Sequence, residues 1–226
     1  MLCLPFHDCA EAGRQLANEL RRCDVAPDAV AFGVIPRGMA VAFEVADRLS
    51  LPLGAILVRD LDVPWQSELR MGAIAGGVRV LDEGIIGMLN ITADEIEEAV
   101  QNQTADASHS EALCGQGAAF TAVSGRTALI IDAGIASGIQ MVTATRFIRE
   151  FAPMRIVVAV PVGSREGCRR VANEVDELVC LTMPEHFCAV GEWYREYSEM
   201  DDDCVQRYLR ANRLSLRRKL PDADHN

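Results

Sequence analysis

The stretch Leu129 to Gly138, LIIDAGIASG, constrains the fold more than any other part of the chain: an apolar run ends in an acid and passes directly into a loop of small residues. The run through Asp132 reads as a buried parallel strand. Ile139 to Phe151 then places Met141, Ala144, Thr145, Ile148 and Phe151 at helical spacing. A strand that enters a helix through such a loop presents backbone N–H groups at the helix N-terminus, where a phosphate can sit. The acid matters as much as the glycines, because ligands of open α/β sheets bind outside the carboxyl ends of the strands. An acid beside a phosphate points to a sugar phosphate.

The rest of the chain repeats this alternation. Asp8 to Arg22 places Ala12, Leu16, Ala17 and Leu20 on one stripe and predicts an amphipathic helix. Val30 to Ile35 predicts a strand, Met39 to Leu49 a helix and Ala55 to Val58 a second strand. The segment Leu61 to Gly77, LDVPWQSELRMGAIAGG, carries turn residues and no stable period, and is too long for an ordinary connection, so it is expected to form a mobile lid. Val78 to Leu81 and Ile85 to Met88 are short apolar pieces, and Thr92 with Glu95 makes a capping box for a helix running to about Leu113. Gly115 to Ser124 reads as a loop. After the opening unit come a strand at Arg155 to Val162, a helix at Ser164 to Val175, a strand at Leu178 to Leu181 and a last helix at Asp201 to Arg213. Strand–helix alternation of this kind predicts an α/β fold, a doubly wound and mainly parallel sheet with right-handed crossovers. Residues 1–213 read as one domain, followed by a polar tail at 214–226.

Composition narrows the partners. Acids outnumber bases 33 to 22, a formal charge of −11, which argues against non-specific binding to nucleic acid or to an anionic membrane. Of the 22 bases 21 are arginine, and the single lysine is Lys219, so no mechanism can use a lysine in the core. The eight cysteines, at 3, 9, 23, 114, 168, 180, 188 and 204, show no CxxC spacing and are expected to be reduced thiols in a cytoplasmic protein. The N-terminus MLCLPFHDCAEAG lacks the basic region of a signal peptide, and no apolar run reaches the length of a membrane span.

The loop IPRGM at 35 to 39 places a cation and a glycine at the end of the first core strand. Glycine lets a backbone approach a phosphate closely, and Arg37 offers a planar fork of donors. On its own such a turn is usually only a solvated arginine. In a doubly wound sheet it opens on the same crevice as the Leu129 to Asp132 strand.

With these pieces in place the chain resembles the type I phosphoribosyltransferases, specifically bacterial members of unassigned acceptor. Five blocks carry the resemblance, in the family's order: FHDCAEAGRQLANEL at 6–20, VIPRGMAVAFEVADRL at 34–49, VRDLDVPWQSELRMGAIA at 58–75, GRTALIIDAGIASG at 125–138, and VVAVPVGS with LVCLTMPEHFCAVGEWYREYSEM towards the C-terminus. The resemblance implies a phosphoribosyl-diphosphate loop at Asp132 to Gly138. Asp132 would meet the ribose hydroxyls, and Gly134, Ile135, Ala136, Ser137 and Gly138 would cradle the 5′-phosphate. It further implies a pyrophosphate loop at Pro36 to Met39, with Arg37 and Gly38 as its contacts, and a flexible lid from Arg59 to about Gly77. Asp132 and Arg59 would be the catalytic residues, Arg70 a further substrate contact, and Arg79 another available cation. Magnesium would bridge pyrophosphate and ribose oxygens, and the implied reaction transfers ribosyl phosphate to an acceptor with release of pyrophosphate.

The sequence departs from the family pattern in ways that weaken one ligand. The second of two adjacent acids is Ala133, and the usual Arg-Lys pair opening the lid is Arg59 with Asp60. The Asp60 carboxylate beside a pyrophosphate is expected to cost about 1 to 4 kcal/mol; if both departures are losses, restoring Ala133→Asp and Asp60→Lys should raise affinity or rate, and no gain would mean that the chain uses another chemistry. The loop CGQGAA at 114–119 lacks the family's basic residues. Either another set of arginines supports transfer, or the chain is a catalytically weakened regulatory module that binds a phosphoribosyl compound or nucleotide. Phe187, Trp193 and Tyr194 could stack an aromatic acceptor in a small hood or simply pack the core. Glu185 and His186 could assist proton removal, though an exposed pair is the plainer account. The expected partner is a small molecule, with no nucleic acid and no membrane; a homodimer is a candidate assembly.

Overall fold

Three apolar strands form the middle of a five-stranded sheet in the computed structural model, which describes residues 5–23, 28–105, 118–197 and 200–219. Along the first half of the chain run α1 (Cys9–Arg22), β1 (Val30–Ile35), α2 (Gly38–Leu49), β2 (Leu53–Leu57), β3 (Arg59–Val63), β4 (Gln66–Ala75), β5 (Val78–Leu81), α3 (Glu83–Leu89) and α4 (Ala93–Ala105). The second half adds α5 (Ala118–Ala122), β6 (Thr127–Ile131), α6 (Ile139–Arg149), β7 (Arg155–Val162), α7 (Arg165–Ala172), β8 (Glu177–Thr182), a 3-10 turn (Val190–Trp193) and α8 (Asp202–Lys219).

The main sheet has the order β2-β1-β6-β7-β8, and every neighbouring pair is parallel. Its central strands are buried along their length, Arg155 at the start of β7 excepted, because helices cover both faces, which is why they read as apolar runs. Successive residues of each strand feed opposite cores. Ala31, Ile35, Leu129 and Ile131 pack with Leu16, Leu20 and Met39 of α1 and α2, whereas Val30, Phe32, Ala128 and Ile130 pack with Phe120, Met141 and Phe147 of α5 and α6. From β1 the chain crosses to β2 on one side, and from β6 to β7 on the other. The gap between the carboxyl ends of β1 and β6 is therefore the switch point where such a sheet opens a crevice.

The segment expected to form a lid, which shows no stable period in the sequence, folds as an antiparallel sheet, β3-β4-β5, with its own core of Leu61, Val63, Met71 and Ile74 packed with Ile91 and Ala99. Two physical features hide it. Register shifts between Leu61 and Asp62 and between Asp62 and Val63 break the alternation a strand would show. β4 also runs exposed for its first half and buried for its second, as it passes from solvent onto α6. The Gly76–Gly77 hairpin, with φ of +53° and +86°, was its legible signal.

Other differences are local. Ile85 to Met88 belongs to a helix capped by Asp82, and the Gly115 to Ser124 loop contains α5, too short to show a period, which buries Phe120. α8 continues beyond Arg213 to Lys219, tied to α2 by hydrogen bonds from Ser215 and Lys219 to Asp47. Within it the buried Asn212 accepts from the Leu53 N–H and donates to the Leu51 carbonyl, clamping the helix to β2. The expected extension of the fourth helix to Leu113 and the start of the CGQGAA loop lie outside the described residues. Among the described residues no helix is long and apolar enough to cross a membrane.

Candidate functional site

Two loops meet at the switch point. The first follows β1, where the Ile35–Pro36 peptide is cis and α2 begins at Gly38. A Cβ on Gly38 would stand 2.8 Å from both the Cα and a carboxyl oxygen of Asp132, so only glycine lets the loops approach this closely. The second follows β6 and reaches α6 through Gly138, which adopts φ +83°. Its backbone is held from behind: the Ile135 N–H donates to the Val162 carbonyl at 3.0 Å, and Ser164, the N-cap of α7, donates through its hydroxyl to the Ala136 carbonyl at 2.5 Å. A Cβ on Gly167 would lie 2.1 Å from that same carbonyl, and one on Gly138 2.7 Å from the Gly167 carbonyl. Glycine on both sides lets α7 press against the loop and fix it.

Strand alternation decides what the acid and its neighbour can do. Ala133 keeps the parity of Leu129 and Ile131, so its side chain is 1% exposed in the core beneath α1 and α2. Its carbonyl accepts a 2.5 Å hydrogen bond from the buried Tyr194 hydroxyl. A carboxylate at 133 would therefore enter the core, and the expectation that Ala133→Asp restores a ligand contact is corrected: no ligand-facing place exists for that side chain here. Asp132 faces the crevice. Although part of its surface reaches the cavity, the carboxyl is deeply enclosed by protein atoms. Burial pushes its pKa up to about 7, against the opposing pull of the Ala133 N–H at 2.6 Å and the charge of Arg37.

A cavity of about 620 Å³ opens between these loops, β3–β4 and the segment before the 3-10 turn; its walls include Arg37, Asp60, Arg70, Asp132, Gly134, Ala136, Gln140 and Tyr197. A smaller recess of about 70 Å³ continues beneath the loop, lined by Gly134 through Met141 together with Asp60, Arg70 and Asp132. The structure thus gathers Arg37, Arg70, Asp132 and the whole Gly134 to Gly138 loop around one space, with Gly38 packed against Asp132.

Arg59 is not brought there. Its guanidinium turns to the α4 side and donates to the Gln103 carbonyl at 2.5 Å, because neighbouring residues of a strand point to opposite faces and Asp60 takes the cavity face. Arg79 is likewise engaged elsewhere, in an ion pair with Glu97. Asp60 is not an isolated anion: it pairs with the Arg70 Nε at 2.5 Å and accepts from the Gln140 side-chain amide at 2.7 Å. The expected repulsion is thus largely offset within the protein.

Trp193 does not line the cavity. Its indole packs against the α1–α2 core, as does Phe187, and its Nε1 is buried with no hydrogen-bond partner among the described residues. The aromatic residue at the cavity is Tyr197, missed in the sequence because no periodicity marks a loop residue. Its ring lies under the Arg37 guanidinium, 5.7 Å from Cζ to centroid, and stacks on Tyr194 at 5.0 Å. Glu185 and His186 are exposed and line none of this space. Among the described residues no three His, Cys, Asp or Glu side chains converge as a metal site.

No protein-family model matches the chain. Two proteins of Mycobacterium tuberculosis, from strains CDC 1551 / Oshkosh and ATCC 25618 / H37Rv, are each 37% identical over 211 residues, covering 92% of this chain and 47% of their own length. Both carry the provisional name phosphoribosyl transferase. The chain spans about half the length of these curated relatives. The crystal structure of the TT1426 protein from Thermus thermophilus is similar with a TM-score of 0.68 and 30% identity, covering 91% of this chain and 98% of that one.

Proposed function

We propose that this chain, which belongs to the phosphoribosyltransferase family, binds 5-phosphoribosyl diphosphate with magnesium and transfers its ribosyl phosphate to an acceptor nitrogen, with a nucleobase as the acceptor class. The observation that carries the reading is the convergence of the Arg37–Gly38 loop and the Asp132–Gly138 loop on one cavity at the sheet's switch point. In this reading the 5′-phosphate lies in the recess under Gly134 to Gly138, received by backbone N–H groups and by the positive end of α6. Ser137 adds a hydroxyl at the first turn. Arg37 and Arg70 receive the diphosphate from opposite walls.

Asp132 lies at the ribose. As the glycosidic C–O bond breaks, its electron pair leaves on the diphosphate and positive charge grows on the sugar. A carboxylate here stabilises that charge, while the arginines stabilise the negative charge on the leaving group. The acceptor nitrogen then forms the new bond to the anomeric carbon, and its proton passes to water or to the released diphosphate. The β3–β4 hairpin and Tyr197 wall the cavity and limit water.

The donor set also suits magnesium, which takes oxygen ligands, keeps several waters and relies on substrate phosphates rather than on a protein cage. Asp132 is the residue that would hold it. When bound, the ion would neutralise diphosphate charge.

The reading is tested by pyrophosphate release from phosphoribosyl diphosphate and magnesium across a panel of nucleobases. Base-dependent release that disappears in Asp132→Asn supports transfer. Binding without release with any base would favour a regulatory module that senses the same ligand.

A further inference from the structure

We infer that Asp60 is a positioning residue: its carboxylate, held between Arg70 of β4 and Gln140 of α6, sets the Arg70 guanidinium over the phosphate loop as the cation that receives the diphosphate. The inference rests on the phosphoribosyl-diphosphate reading above.

Four observations carry it. Asp60 meets the Arg70 guanidinium at Nε, at 2.5 Å, which holds the arm near its base, and a guanidinium carries two Nη groups as further donors for phosphate oxygens. The Asp60 side chain is 21% exposed and that of Arg70 60%, which makes the carboxylate the anchor and the arginine the arm it aims. The second carboxyl oxygen accepts from Gln140 at 2.7 Å, so the anchor itself is fixed to the first turn of the helix that follows the phosphate loop. Both Asp60 and Arg70 line both parts of the cavity. A long side chain left unanchored would lose rotamer freedom on binding, and Asp60 removes that loss in advance.

The alternative is that Asp60 acts only through its charge. The two accounts differ in sign. Removing a carboxylate beside a diphosphate strengthens binding if charge alone decides, whereas removing the support of Arg70 weakens it. Titration calorimetry with phosphoribosyl diphosphate and magnesium on the wild type, Asp60→Asn, Asp60→Glu, Arg70→Ala and the Asp60→Asn/Arg70→Ala double variant separates them, with thermal melts confirming that each is folded. Asp60→Asn is expected to weaken binding about tenfold, and Asp60→Glu to recover most of the loss. Arg70→Ala is expected to weaken binding at least as much as Asp60→Asn. In the Arg70→Ala background Asp60→Asn should then bring no further loss or a small gain, because only the charge effect is left.

Tighter binding by Asp60→Asn than by wild type would overturn the inference while leaving the phosphoribosyl-diphosphate reading intact. So would an equal loss with and without Arg70. A wild type that takes up no ligand at millimolar concentration would overturn both.

Discussion

The Gly134–Gly138 loop and the β3–β4 hairpin face each other across one cavity, but they are built in different ways. The loop is a backbone device: its shape depends on Gly138 at φ +83° and on the close approach of Gly38 and Gly167, and no side-chain charge is needed to define it. The hairpin is a side-chain device. Its contribution depends on strand parity, which sends Asp60 inward and Arg59 outward, and on the pairing that aims Arg70. Changes to the loop should therefore act through folding and geometry, and changes to the hairpin through charge placement.

The largest expected effects lie on the loop side. Gly167→Val would drive a side chain into the Ala136 carbonyl and is expected to abolish ligand binding, with a melting temperature far below that of wild type. Ala133→Asp buries a carboxylate beside Tyr194 and should destabilise the fold by about 3 kcal/mol or more, measured by urea unfolding. A stable variant with tighter ligand binding would show that position 133 reaches the cavity after all.

Asp132 should separate stability from function. Its carboxyl is raised to about 7 in the folded chain, above the ordinary value of 3.8, so between these values the folded state holds more protons than the unfolded state. Stability is thus expected to fall as pH rises from about 4 to about 7, and the penalty to persist above that. Asp132→Asn removes the titration. The variant should melt about 5 °C higher than wild type at pH 8 and level with it at pH 4, while losing ligand binding at both. Equal melting temperatures at pH 8 would mean the carboxyl is better solvated than its enclosure indicates.

The hairpin gives the smaller effects. Arg59→Ala is expected to change ligand affinity by less than about twofold and to cost about 1 kcal/mol of stability through the lost Gln103 contact. A tenfold loss of affinity would place Arg59 in the cavity in the bound state and reverse the assignment of the two neighbouring residues.

This contrast also explains what the sequence made legible. Continuous apolar runs announced β1, β6 and β7, and the small residues after Asp132 announced a tight loop into a helix, because buried parallel strands and close backbone approaches leave compositional marks. The small antiparallel sheet left few marks, since register shifts at Leu61 to Val63 erased its alternation. Ala133 and Asp60 were visible as departures, but their meaning was not. Whether a residue faces ligand or core depends on strand parity and on partners distant in the chain, such as Tyr194 for Ala133 and Arg70 with Gln140 for Asp60. Trp193 was the conspicuous aromatic and Tyr197 the one at the cavity, a choice made by how the C-terminal segment folds back onto the Arg37 loop.

The central claim is that the two loops at the switch point form a binding site for phosphoribosyl diphosphate. Titration calorimetry of the wild-type chain with that ligand and magnesium tests it most directly. The expected result is a single site with Kd on the order of 0.1 mM or tighter, lost in Asp132→Asn and in Arg37→Ala. Absence of binding heat at millimolar ligand, together with no ligand-induced rise in melting temperature, would contradict it.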